Sequence, residues 1–203
     1  MNAALDSVLA RTDVWRGSGN AWRETLPTGF DPLDACLGGG WPLGALAECL
    51  IAHPGGGEMS LFLPALARTT RHKGAAFVAP PYLPYAPALA QANIDLSRLL
   101  ILQPHDTADG LWAAVRCLAS GACRMALIWA ERLGGRGLRR LQLAAEEGGT
   151  LAVLFHPLSA ANRPSPATLR LAVRPAPSGL IIEILKCRGR PACTLSLQNL
   201  ALA

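Results

Sequence analysis

The chain has 203 residues, of which 51% are apolar and 16% charged, with a formal net charge of +5. This balance excludes long disorder, and the length suits one globular unit whose apolar excess fits a sheet sealed by helices on both faces. No run approaches the roughly 18 consecutive apolar residues that span a bilayer, and the opening MNAALDSVLARTDVWRG lacks a basic region followed by an apolar one, so the expected location is cytoplasmic with no membrane partner.

Asn2 to Leu9 reads as a short helix capped by Asn2, and Gly17 to Gly19 form a connector. Residues 1–27 are therefore read as an N-terminal helix and connector, and residues 28–203 as the core domain. Trp15, Arg16, Trp22 and Arg23 lie in that connector. They read either as a partner-binding edge, because Trp and Arg dominate interface hot spots, or as aromatics folded back on the core. From Asp31, the run DPLDACL has an N-cap followed by Pro at the first helical position, and Gly38 to Gly40 stop the helix.

Ala45 to Ile51 is an apolar run of strand length, followed by a glycine-rich turn and a helix from Glu58 to His72 with apolar positions at Leu61, Leu63, Leu66 and Ala67. The rhythm repeats through strand Ala75 to Ala79, a helix around Ala86 to Ala92, strand Leu99 to Leu102 and helix Thr107 to Ser120. Strand Met125 to Trp129, helix Gly137 to Glu147 and strand Leu151 to Phe155 continue it. This alternation predicts an α/β fold with mostly parallel strands and helices on both faces. The last three runs, Leu169 to Val173, Leu180 to Lys186 and Cys193 to Leu197, are joined by tight Pro and Gly turns and predict an antiparallel extension of the sheet. Tyr82 and Tyr85, in the proline-bounded PPYLPY, leave open the same two readings as the connector tryptophans.

The six cysteines, Cys36, Cys49, Cys117, Cys123, Cys187 and Cys193, show no two-residue spacing of the kind zinc and redox sites use, and read as small buried hydrophobes. His53, His72, His105 and His156 stand singly and read as loop or core residues, so no metal site is expected. Only Lys73 and Lys186 are lysines among 19 basic residues. The arginine excess fits either phosphate partners or a biased genome.

The turn after the first core strand stands where a P-loop binds phosphate through backbone N–H groups and a lysine. Against G-x-x-x-x-G-K-[ST], the stretch AHPGGGEM has Ala52 for the first glycine, keeps Gly57, and carries Glu58 for lysine and Met59 for Ser/Thr. At about 4 Å and an effective dielectric of about 20, a unit charge pair is worth roughly 4 kcal/mol. Turning that attraction into repulsion costs about 8 kcal/mol, comparable to a micromolar affinity. A carboxylate at that point also suits a helix N-terminus, so the loop is expected to satisfy itself.

The stretch TGFDPLDACLGGGWPLGALAE, Thr28 to Glu48, resembles the segment that precedes the first core strand of the bacterial RecA recombinase. FVAPPY from Phe77 resembles the family's second core strand, with Pro81 at the position of the catalytic glutamate. IWAERL from Ile128 resembles the Walker B strand, with Trp129 at the magnesium-associated aspartate. Among RecA-like proteins without an ATPase, the chain most resembles the ImuA family of the bacterial inducible-mutagenesis cassette; SulA, a cell-division inhibitor acting on FtsZ, is similar in kind. The resemblance implies a RecA-like core with no enzymatic activity and no cofactor, serving error-prone translesion synthesis in the SOS response. An ImuB-like polymerase-related protein is the implied partner, with RecA and a replicative-type error-prone polymerase as further candidates. A SulA-like blocker of division and a divergent ATPase are the alternatives.

In RecA, the loops leaving the later core strands hold single-stranded DNA. The corresponding stretches are Glu131 to Arg140, with Arg132, Arg136, Arg139 and Arg140, and His156 to Thr168, with Arg163. They read either as weak, sequence-independent phosphate contacts or as a solvated helix start.

Overall fold

The computed structural model describes residues 24–198. The expected helix at Asn2 to Leu9 and the Trp15, Arg16, Trp22, Arg23 cluster lie outside the described residues.

A two-stranded ribbon, β1 (Thr25–Leu26) with β2 (Trp41–Pro42), brackets helix α1 (Asp31–Leu37). The cap of α1 differs from expectation: Phe30 is the N-cap and Asp31 already lies inside the helix. Thr28 explains this, because its hydroxyl accepts the Phe30 N–H and its own N–H donates to Asp34 Oδ1 at 2.8 Å. Gly38 ends the helix in the left-handed region at φ 81°, where a residue with a Cβ is strained.

The remaining strands build one sheet. They are β3 (Ala45–Ile51), β4 (Gly74–Val78), β5 (Leu99–Leu102), β6 (Cys123–Trp129), β7 (Leu151–Pro157), β8 (Leu169–Ala176), β9 (Gly179–Cys187) and β10 (Cys193–Gln198). Their order is β10-β9-β8-β3-β7-β6-β4-β5. Strands β3, β7, β6, β4 and β5 run parallel, and β9 and β10 are antiparallel. The three last strands form the antiparallel extension that the sequence predicts, joined to the parallel sheet where β8 lies parallel to β3 from Ala47↔Leu169 to Leu50↔Ala172.

Both faces are covered, as the near-continuous apolar strands require. Alternate residues of one face, including Cys49, Phe77, Leu127 and Val153, pack beneath α1, helix α2 (Leu63–Thr70) and helix α3 (Ala86–Gln91). The intervening residues Leu46, Ala76, Ala126 and Leu154 pack against helix α4 (Thr107–Ala119) and helix α5 (Gly135–Gly148). The single helix expected from Glu58 is a 3-10 turn, Glu58–Leu61, before α2 begins with Pro64 in its first turn.

Cysteine placement corrects the sequence reading. Cys36 of α1 and Cys193 of β10 form a disulfide across a sequence separation of 157. In the chain-entropy account, a loop of that length contributes up to about 5 kcal/mol. Cys49, Cys123 and Cys187 are buried free thiols, as their apolar neighbours suggest.

Candidate functional site

The carboxyl ends of the parallel strands are where α/β sheets carry ligands, and here they gather the residues singled out in the degenerate P-loop. Ala52 leaves β3 exposed, and Gly55 and Gly57 adopt φ of 89° and 90°, left-handed conformations that glycine alone takes without strain. The chain thereby turns back so that Glu58 enters the protein, 3% exposed, at the start of the 3-10 turn. Its Oε1 accepts the Gly55 N–H at 2.9 Å. Burial and the neighbouring Glu58 charge together push the Cys49 thiol well above its ordinary range. The space bounded by Ile51, His53, Gly56, Glu58 and Val173 is about 10 Å³, room for one water at most. The side chain of Glu58 thus fills the inside of the turn.

Trp129, where a magnesium-associated aspartate is expected in RecA, ends β6 inside an aromatic cluster. Its ring stacks on Phe155 with centroids 4.7 Å apart and meets Phe77 edge-on at 5.7 Å. Phe155 continues edge-on to Phe62, and Phe62 meets Trp41 in a tilted contact. An apolar stack thus stands at the end of β6. Pro81 is exposed in the turn after β4. Ile51, Ala52, Ala79, Pro81, Trp129 and His156 border a cavity of about 430 Å³ that opens at these strand ends. Its lining is mainly apolar, and among the described residues no group of three or more His, Cys, Asp or Glu is placed to hold a metal ion.

Beside this cavity lies a buried polar network that sequence reasoning missed. Glu48 of β3 and Arg170 of β8 are register partners, and the guanidinium Nε donates to Glu48 Oε2. Arg170 also donates to the carbonyls of Ala160 and Ala161, at 2.8 and 3.0 Å, and so fastens the loop after β7. His156 Nδ1 stands 3.7 Å from Glu48 Oε1. Burial pushes the Glu48 carboxyl up, but His156 and Arg170 outweigh it and hold it below its ordinary value. Residues 48 and 170 are 122 apart in sequence, and the only available signal was a charged residue inside each of two apolar strands.

The arginine cluster is only partly a loop. Arg132 is exposed in the segment after β6, whereas Arg136, Arg139 and Arg140 project from the first turns of α5, which begins at Gly135, two residues earlier than the sequence suggests. Arg163 is exposed in the separate loop after β7. Tyr82, Leu83 and Tyr85 are 72%, 75% and 72% exposed, so the reading that buries these tyrosines is corrected. Proline-bounded and projecting past the end of β4, they have no core within reach. Among the described residues, no helix is long and apolar enough to cross a membrane.

Comparison with known proteins finds no matching family model. Over 62% of its length the chain is 30% identical to RecA of Lactobacillus acidophilus, covering 38% of that protein. Over 52% it is 34% identical to RecA of Prochlorococcus marinus, covering 30%. Over 58% it is 32% identical to the chloroplastic DNA repair protein recA homolog 1 of Arabidopsis thaliana, covering 27%. The chain thus spans less than two fifths of these relatives, and over that span it is RecA-like.

Proposed function

We propose that the chain is a non-catalytic, RecA-like accessory protein of the DNA damage (SOS) response. It serves error-prone translesion synthesis as a scaffold for an ImuB-like polymerase partner, with RecA and a replicative-type error-prone polymerase as further contacts. The observation that carries this reading is Glu58, whose buried carboxylate takes up the Gly55 N–H at the place of the phosphate-binding lysine. Trp129 and Pro81 support it, because neither side chain can hold magnesium or activate water. The similarity to RecA proteins and to a DNA repair protein supports the cellular setting. A retained scaffold with altered site residues is a common way for one fold to change its task.

Titration calorimetry with ATP and magnesium is expected to give no saturable heat, and affinity capture from DNA-damaged cells to recover a polymerase-like partner. Micromolar ATP binding with turnover would overturn the non-catalytic reading. Inhibition of FtsZ polymerisation by the purified chain, with no polymerase captured, would place it with the cell-division inhibitors instead.

A further inference from the structure

The cavity of about 430 Å³ at the carboxyl ends of the strands takes no part in the scaffold role proposed above. Four strands build it. Ile51 ends β3, Ala79 follows β4, Trp129 ends β6, and Phe155 and His156 come from β7. Ala79 sits at φ 53°, a left-handed conformation that strains a residue with a Cβ, and from it the chain leaves β4 toward Pro81 on the rim. The stacked rings of Trp129 and Phe155 give the cavity an aromatic wall. Its size is that of a small-molecule site.

Two of the bordering side chains carry polar atoms that the protein leaves unpaired. The indole Nε1 of Trp129 and both imidazole nitrogens of His156 are buried and have no hydrogen-bond partner among the described residues. His156 is 3% exposed. Buried polar groups are nearly always paired, and leaving one bare is costly, so their place beside an open cavity points to a partner that arrives from outside.

Charge restricts what that partner is. The Glu48 carboxylate stands 3.7 Å from His156 Nδ1, too far for a hydrogen bond, and Glu131 is exposed on the rim. Among the described residues, none that borders the cavity is Lys or Arg. The guanidinium of Arg170 is engaged by Glu48 and by the carbonyls of Ala160 and Ala161. An anion therefore meets carboxylates and no free positive charge. Glu48 also favours the His156 proton on Nδ1, which leaves Nε2 as an acceptor, whereas the indole N–H is a donor.

We infer that this cavity binds an uncharged, planar aromatic amide. Its rings lie against Trp129 and Phe155, its carbonyl accepts the Trp129 N–H, and its amide N–H donates to His156 Nε2.

The probe is 1-naphthamide, with 1-naphthoate as the anion of the same ring system, each titrated into the full, nitrogen-labelled chain. The chain has five tryptophans, and the indole N–H resonance that vanishes in Trp129→Phe is that of Trp129. With naphthamide, that resonance is expected to shift and to saturate at submillimolar concentration, and naphthoate is expected to bind about tenfold more weakly or less. Trp129→Phe keeps an aromatic ring and removes the donor, so its naphthamide affinity, read by ligand-detected saturation transfer, is expected to fall about tenfold. Ala52→Trp fills the exposed rim without entering the core and is expected to abolish binding. No saturable shift, equal affinity for the amide and the carboxylate, or undiminished affinity in both variants would each overturn the inference, whichever partner the scaffold captures.

Discussion

The carboxylate of Glu58 and the backbone N–H of Gly55 are partners across 2.9 Å, and the loop between them closes on itself. Replacing Glu58 by Ala takes the acceptor from an exposed glycine, whose N–H can turn to water, and removes a buried carboxylate whose Oε2 has no partner, so the urea midpoint is expected to stay within about 1 kcal/mol of the parent, with an unchanged slope. The double variant Glu58→Lys, Met59→Thr restores the residue types of a phosphate-binding loop, yet Trp129 still stands in its aromatic stack where the resemblance to RecA would place a magnesium-associated aspartate. Equilibrium dialysis with labelled ATP is expected to show no recovery of binding; micromolar affinity would mean that these two side chains alone had silenced the loop.

Glu48 confers a defined pH dependence. Its folded pKa is lowered below the ordinary 4.5, with burial opposed by His156 and Arg170. The unfolded chain therefore takes up this proton first, so the stabilisation is complete above about 4.5 and is lost as the pH falls through the folded value. Glu48→Gln is expected to flatten the acid limb of a pH series of urea midpoints. Glu48→Ala leaves the Arg170 charge buried and unpaired and is expected to cost about 3–5 kcal/mol near neutral pH.

Gln142, 2% exposed on α5, accepts the Leu46 N–H of β3 at 3.1 Å through its side-chain oxygen. Leu46 precedes the point where β8 begins to pair with β3, so no strand supplies that acceptor. Gln142→Leu keeps the apolar contact and removes the acceptor, with an expected loss of about 1–3 kcal/mol. Amide exchange at Leu46 is expected to accelerate, and unchanged protection there would contradict the assignment.

Replacing Arg132, Arg136, Arg139 and Arg140 together by Ala tests the nucleic-acid reading of that surface. Each phosphate contact on a single strand contributes a logarithmic salt slope of about 0.7, so the quadruple variant is expected to flatten the slope by roughly two to three units. All four are exposed, and the urea midpoint is expected to stay within about 1 kcal/mol of the parent. An unchanged affinity and slope would exclude this surface as the contact.

Strand and helix rhythm was legible because each element carries its own period and its own breakers. Gly38 stops α1 where expected, and the apolar runs at Ala45–Ile51 and Leu151–Phe155 became central parallel strands, the second extended to Pro157. The glycine-rich turn before Glu58 was legible for the same local reason, whereas the burial of its carboxylate was not. What escaped is non-local. Nothing near Glu48 announces Arg170, nothing near Cys36 announces Cys193, and spacing rules tuned to short motifs are blind to partners that only the sheet order brings together. The start of α5 was misplaced because Gly134 and Gly135 read as loop, whereas the helix takes in Gly135 and Gly137 under the cover of Leu133.

The link between Cys36 and Cys193 makes a covalent ring of most of the described chain. A protease that cuts anywhere inside that ring, at the exposed PPYLPY turn or beside Arg132 and Arg163, opens the backbone without releasing a fragment. Nicked protein keeps its full mass on a non-reducing gel and separates into two pieces only when the disulfide is reduced. Limited proteolysis read under reducing conditions alone would therefore mistake a clipped but intact molecule for a degraded one.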